Sequence, residues 1–286
     1  MKTIAKFGLL ISVALACADG VLAQSQAGPR SLPRPGGWTL TPEAGTELSN
    51  SGKVISGAAE SVTAAGNLFG GVVSATINFS ANTQKFRDVY DRPLSAGLGG
   101  SYGLTNDSEV FGRFRYTTAD ARDFTALNVN AAVTFNGVAI LAGNGSLTGK
   151  MNDYNETLID LGYRKFFRHD DMIKPFLLDM IKPFLSGSVG FQRNNGLDLD
   201  LSYRGVAVLN DVKLYKSSTV PSVALGIGAI YDIGGGASLG VETGYRWAGK
   251  IKENDASLTG GRSFEGINNN FRRDVVPLMI SVRVPL

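Results

Sequence analysis

The feature that most constrains this chain is the alternation between Ser218 and Lys250, STVPSVALGIGAIYDIGGGASLGVETGYRWAGK. Val223, Leu225, Ile227, Ala229 and Tyr231 alternate with Ser222, Ala224, Gly226, Gly228 and Ile230. After an Asp-Ile-Gly-Gly-Gly turn, Leu239, Val241, Thr243, Tyr245 and Trp247 alternate with Ser238, Gly240, Glu242, Gly244 and Arg246. A period of two sends successive side chains to opposite faces of a strand. In a soluble sandwich the apolar face would pack on a second sheet. Here the other face is small or charged, and the aromatics lie toward strand ends. That is the pattern of a membrane-crossing β-hairpin, with lipid outside, a polar lumen inside and aromatics at the interface.

The same period governs the chain from Leu68 onward. Phe69 to Phe79 predicts a first strand, Leu94 to Leu104 a second, and EVFGRFRYTT a third with Phe111, Arg113 and Arg115 inward. YNETLIDLGYRKFF, KPFLSGSVGF, the two strands of the opening hairpin and the terminal VVPLMISVRVPL follow. The expected architecture is all-β, an antiparallel up-and-down transmembrane barrel of eight strands. Short turns at 105–108, 168–174 and 232–236 alternate with long connections at 81–92, 119–153, 192–217 and 250–272, as periplasmic turns and outer loops do. Hairpin signals at Asn136-Gly137 and Asn210-Asp211 lie inside the long connections. They extend the outer loops as β-structure, or else raise the count to ten or twelve strands. DMIKPFL occurs at 171–177 and again at 179–185; an eight-residue step preserves strand parity and reads as a lengthened turn.

The N-terminus reads as a processing signal. Lys2 and Lys6 precede the short apolar run FGLLISVALA, and Val21-Leu22-Ala23 offers a cleavage site, giving a secretory signal peptide over 1–23. Lipoprotein processing at Cys17 is the alternative. Residues 24–67 are expected to form a flexible periplasmic arm, Pro- and Gly-rich at first, with a possible short helix carrying Val54, Ile55, Ala58, Ala59 and Val62. The barrel would span 68–286. Cys17 is the one cysteine of the chain, so disulfides and thiolate metal sites are excluded from a mature barrel. A net charge of +3, with both signs scattered, argues against a nucleic-acid partner.

Inward-facing charges form the one constellation that chemistry could use. Arg113, Arg115, Asp160, Arg164, Glu242, Arg246 and Arg283 would share the lumen, with Asp160–Arg164 and Glu242–Arg246 as same-strand pairs. Buried charges must be paired or hydrated. An eight-stranded interior is one that side chains just fill. Two readings stay open: a salt-bridged plug, or a narrow anion-favouring pore lined by excess arginine. Tyr116, Tyr231, Tyr245 and Trp247 are the expected interface aromatics, and Val282, Val284 and Leu286 the apolar insertion signal of the last strand. No catalytic residues, metal ligands or cofactors are expected. The chain's single histidine, His169, falls in a turn beside Arg168, Asp170 and Asp171, and Asp198 and Asp200 alternate in LDLDLSY without a third ligand.

GVETGYRWAGKI with its polar loop and terminal strand, and LIDLGYRKFF followed by KPFLSGSVGF, resemble the OmpA-like, opacity-type outer-membrane barrels of Gram-negative bacteria. The resemblance covers about residues 68–286 and departs from the family at the end, where Leu286 stands in place of the usual Phe. It implies residence in the outer membrane among lipid and lipopolysaccharide, insertion by the outer-membrane assembly machinery, and outer loops that meet host or envelope molecules. The resemblance is specific for fold and location; the role expected is structural and adhesion-like, with no enzyme activity expected from the residues, and a narrow passive channel for small solutes is the alternative.

Overall fold

The structure is a computed structural model; it describes residues 33–68, 70–167, 181–234, 236–254, 257–258, 262–263 and 271–286. The signal peptide, the His169 turn and the first DMIKPFL copy lie outside the described residues. In chain order the strands are β1 (Trp38–Ser51), β2 (Lys53–Ile55), β3 (Ala58–Leu68), β4 (Gly71–Ala81), β5 (Gln84–Lys85) and β6 (Leu94–Thr105). They continue with β7 (Ser108–Ala119), β8 (Asp123–Phe135), β9 (Val138–Met151), β10 (Tyr154–Phe166), β11 (Ile181–Asn194) and β12 (Leu197–Tyr203). The last are β13 (Val206–Tyr215), β14 (Ser218–Gly234), β15 (Ala237–Ala248), β16 (Ser257–Leu258), β17 (Arg262–Ser263) and β18 (Asp274–Pro285).

Eight of these close into an antiparallel barrel in the order β1-β18-β15-β14-β11-β10-β7-β6. Closure is made between β1 and β18, where Thr39 faces Pro285 and Ala44 faces Ile280, and Leu286 N–H donates to Trp38 O at 2.9 Å. Every barrel strand therefore has two neighbours, which is what a bilayer demands of a spanning sheet. The strand count of eight is as expected, but the first strand is not. The arm expected over 24–67 contains β1, and the Phe69–Phe79 stretch expected to begin the barrel contributes β4, which pairs with β3 and β8 outside it. Both segments alternate; what differs is the partner each finds. On its outward side β1 carries Pro42, Ala44 and Thr46 in place of a continuous apolar band, and Glu43 and Glu47 lie on its buried side, so its sequence reads as loop. Nor is there a helix at 54–62: those residues form β2 and the start of β3.

The long connections build a second sheet at one end of the barrel, in the order β13-β12-β9-β8-β4-β3. Asn136-Gly137 turns β8 into β9 with φ of 49° and 81°, the left-handed pair that a two-residue hairpin turn requires. The other hairpin signal is displaced. The turn joining β12 to β13 is Arg204-Gly205, at φ 49° and 80°. Asp211 sits within β13 at φ 56° and marks a bulge, where its N–H donates to Asp200 Oδ1 at 2.8 Å.

Faces are inverted between the two sheets. Along the barrel the exposed side is apolar: Leu225 is 70% and Val189 63% exposed, with Ile159, Leu161, Phe114 and Ile280 in the same band. The buried side holds arginines and carboxylates. In the second sheet the buried side is apolar, with Phe124, Met151, Leu197, Leu199 and Leu201 packed on Val54, Ile55, Phe86, Val89 and Tyr215. Its other side carries Asp123, Thr125, Thr148, Lys150 and Ser146.

Candidate functional site: the charged lumen

The lumen is built by cross-strand register. Arg113 on β7 lies opposite Asp160 on β10, and Arg164 on β10 lies opposite Glu109 on β7. Arg113 holds Asp160 through two bonds, Nε to Oδ1 at 3.0 Å and Nη2 to Oδ2 at 3.2 Å, and reaches Glu242 Oε2 at 3.2 Å with Nη1. Arg164 donates to Glu109 Oε1 at 2.6 Å and to Glu242 Oε2 at 3.1 Å. Arg283 completes this layer with a forked pair to Glu109 at 2.8 and 2.6 Å. Planar guanidinium groups matched to carboxylates in this way are the strongest neutralising geometry available to side chains.

Nearer the second sheet, Arg115 donates to Glu43 Oε1 at 2.9 Å, and Arg246 lies 2.9 Å from Glu156 Oε1 and 3.5 Å from Glu47 Oε1. Arg273, which enters the lumen just before β18, bonds both Glu47 and Glu156 and donates to the Tyr154 hydroxyl at 2.8 Å. Asn194 Oδ1 lies 2.5 Å from that hydroxyl.

All seven sequence-predicted lumen residues face inward, but their partners are on other strands. Asp160 pairs with Arg113, not Arg164, and Glu242 meets Arg113 and Arg164, not Arg246. Residues four apart on one strand are separated by about 13 Å, too far for direct contact. Cross-strand neighbours are within reach. The sequence reading also missed Glu43, Glu47, Glu109, Glu156 and Arg273. Glu109 and Glu156 share the parity of Arg113 and Asp160 and were within reach of the pattern; Glu43 and Glu47 sit in β1, which did not read as barrel. With them included, the ion-paired network among the described residues sets Arg113, Arg115, Arg164, Arg246, Arg273 and Arg283 against Glu43, Glu47, Glu109, Glu156, Asp160 and Glu242. Six arginines meet six carboxylates, so the network carries no excess of arginine among the described residues.

Glycines make room for this network. A Cβ at Gly226 would come within 2.7 Å of Glu242 Oε1, and one at Gly228 within 2.3 Å of the Phe184 ring. Aromatic rings fill the remainder: Phe111 lies under the guanidinium groups of Arg113 and Arg164, 4.6 and 4.9 Å from its centroid, and Phe184 under Arg164 at 4.5 Å.

Both ends of the charged layer are apolar. At the end where β1 starts and β18 finishes, Phe166, Phe184 and Ile230 form one cluster. At the other, Phe86 and Tyr154 lie over Arg273, and Tyr90 and Phe271 pack on Phe86, with the Phe86–Tyr90 centroids 4.7 Å apart and Phe86–Tyr154 5.0 Å. A four-residue helical turn, Phe86–Val89, positions Phe86 there. Above it, the Tyr215 hydroxyl donates to Val54 O at 2.7 Å. Burial pushes the Tyr215 phenol above its usual range, with Glu253 adding to the shift, and burial does the same at Tyr90. The cavity beside Arg113, Asp160 and Glu242 has a volume of about 20 Å³, room for about one water.

The expected interface residues Tyr116, Tyr231 and Tyr245 are exposed on the barrel's outer side, and Trp247 is half-buried beside the Arg272 guanidinium, 5.0 Å from its ring. Of the terminal trio, Leu286 is exposed, Val282 half-buried and Val284 buried. Among the described residues no group of three His, Cys, Asp or Glu side chains converges as a metal site.

No family model and no curated protein matches the sequence. Among solved structures the chain is similar to Neisserial surface protein A, at 14% identity over 86% of this chain and 96% of that one, with a TM-score of 0.36. It is similar to Ail, the attachment invasion locus protein of Yersinia pestis, at 12% identity over 88% and 99%, TM-score 0.37. It is also similar to the outer membrane protein OprG of Pseudomonas aeruginosa, at 14% identity over 90% and 99%, TM-score 0.38. The fold rests on strand order, and the location on the inverted faces. A closed ring of eight antiparallel strands, apolar outside and ion-paired within, is a transmembrane barrel of the outer-membrane kind.

Proposed function

We propose that the protein is a surface barrel of the Gram-negative outer membrane, of the OmpA-like, opacity type. It acts through the sheet it raises above the membrane, and its lumen is a structural plug. The observation that carries this reading is the balanced ion-paired layer lying between two apolar clusters, with space for about one water beside Glu242. A conducting pore needs a continuous hydrated path, and each buried pair here has its charge already neutralised by protein. The role is structural and adhesion-like: the outer sheet presents a wide β-surface to host or envelope molecules, and the barrel anchors it among lipid and lipopolysaccharide. We assign no catalytic role. The signal peptide over 1–23 directs export, and the assembly machinery reads the terminal strand at Val282, Val284 and Leu286.

Planar-bilayer recording of the purified full chain tests the plug. The expected result is no stable conductance steps from wild type. Discrete steps that vanish in Arg113→Ala or Arg246→Ala would establish the narrow channel instead.

A further inference from the structure

The outer sheet carries a surface whose composition sets it apart from the rest of the chain. Charged residues make up 19% of the sequence, yet between Gly57 and Thr83 the one charge is Glu60, and between Phe124 and Gly149 there is none. These segments are the hairpins β3-β4 and β8-β9, which lie side by side through the β4–β8 pairing. Their side chains divide by parity. Ile77, Phe79, Val129 and Val133 share the apolar face that leads down to the buried cluster of Phe124, Met151 and Leu199. The opposite face carries amides and hydroxyls with small alanines between them (Ala59, Ala132 and Ala142) and no charge.

Register aligns that second face into rows. Ser61, Asn78, Asn130 and Asn144 stand opposite one another across four strands. Ser80, Asn128 and Ser146 form the adjacent row, and Thr63 with Thr76 the one beyond, their hydroxyls 3.1 Å apart. Adjacent strands are about 4.8 Å apart and same-face residues about 6.8 Å apart along a strand, so the carboxamides form a regular lattice of donors and acceptors. Asn78, Asn130 and Asn144 are all exposed. A face that needed only water would tolerate Lys and Asp as the base of the sheet does, at Asp123 and Lys150. Here charge is absent while hydrogen-bonding capacity is kept.

The face looks sideways. It is the side away from the apolar cluster over the lumen, and so the upward continuation of the wall that meets lipid. What stands against it is whatever the surrounding lipids carry above their head groups. We propose that the Ser/Thr/Asn face of β3, β4, β8 and β9 docks the neutral saccharide chains of the glycolipids packed around the barrel, with Asn78, Asn130 and Asn144 as the central contacts. Sugar hydroxyls, like carboxamides, both donate and accept, and neither partner has to desolvate a charge. This deepens the proposed function and rests on it, because a soluble protein would have no lipid-borne sugar beside this face.

The test reconstitutes the full chain into vesicles containing lipopolysaccharide with long neutral saccharide chains, or lipopolysaccharide truncated to its charged inner core. Unfolding is followed by the loss of the compact band on unboiled denaturing gels after heating. The long-chain form should raise the unfolding temperature by about 3 °C over the truncated form. The triple variant Asn78→Ala, Asn130→Ala, Asn144→Ala should lose that difference, and Asn106→Ala, in the opposite turn, should keep it. Equal temperatures in the two lipopolysaccharides, or a difference that survives the triple variant, overturns the proposal; so does stabilisation accompanied by crosslinks between copies, which would mark the face as a self-contact. Absence of any compact band in either vesicle would instead sink the barrel reading itself.

Discussion

The barrel wall and the sheet above it are made by the same strands' worth of alternation, folded with opposite sense. β9 runs into β10 and β11 into β12 across short links, yet Leu161 and Phe191 are exposed in the barrel while Met151, Leu199 and Leu201 are buried above it. On the lumen side the change is from Glu156, Asp160 and Arg164 to Phe124, Ala126 and Leu197. A period-two sequence specifies two faces but not which one is covered. The surroundings decide: lipid accepts the apolar face of the lower strands, and above the membrane water forces the apolar side inward onto the axis. The faces exchange near Ala119, Met151, Asn194 and Tyr215, the level at which a lipid-covered wall would end.

Charge behaves oppositely in the two regions, and the sharpest way to break the comparison is to remove one carboxylate from each. Glu109 is buried and holds Arg164 and Arg283. Glu109→Gln should lower unfolding free energy by about 3–5 kcal/mol, because two buried guanidinium groups lose their counter-charge. Asp123 pairs with Lys150 at 3.9 Å with both side chains mostly exposed. Asp123→Asn should change stability by less than about 0.5 kcal/mol. Urea midpoints in detergent, read by the compact-band assay, check both.

A second pair of changes probes the outer faces. Leu225→Arg places a charge in the lipid-facing band and should cost about 2–4 kcal/mol in a bilayer. Thr148→Arg, on the same side of the wall but above the boundary, should stay within about 0.5 kcal/mol. Equal costs at the two sites would put them in the same environment.

The smallest effect is one of pH. Tyr215 and Tyr90 have phenols raised above the usual value by burial, so folding favours their protonated forms. The stabilisation is complete below the unfolded phenol range of about 10 and is lost progressively as pH rises above it. Protease cleavage of the outer sheet in reconstituted vesicles should therefore accelerate between about pH 10 and 11, while the barrel's compact band persists. Tyr215→Phe should shift that onset upward, at the cost of the bond to Val54 O.

Much of this was legible in the sequence because a lipid-facing band leaves a strong signal. Val223, Leu225 and Ile227 opposite Gly226 and Gly228 pointed to a membrane wall, and the glycines prove to be the space into which Glu242 and Phe184 fit. Inward parity was enough to place Arg113, Asp160 and Arg246. Pairing was not legible, because which carboxylate meets which arginine depends on strand order and register between segments as distant as Glu109 and Arg283. β1 was hidden by its own function: Glu43 and Glu47 supply lumen charge, and Pro42 interrupts the apolar side. β4 was misplaced because Ile77 and Phe79 look the same whether their cover is lipid or a buried cluster. Asn210-Asp211 resembled a turn since the bulge at Asp211 uses the same left-handed backbone.

Single-cysteine labelling in intact outer-membrane vesicles tests the inversion most directly, with Cys17 replaced by Ser and a membrane-impermeant maleimide as reagent. Cysteines at Leu225, Ile159 and Val189 should be protected until detergent is added, while cysteines at Thr125, Thr148 and Lys150, on the same side of the wall above the boundary, should label at once. Immediate labelling at Leu225, Ile159 and Val189 would contradict a lipid-covered barrel and with it the account of both sheets.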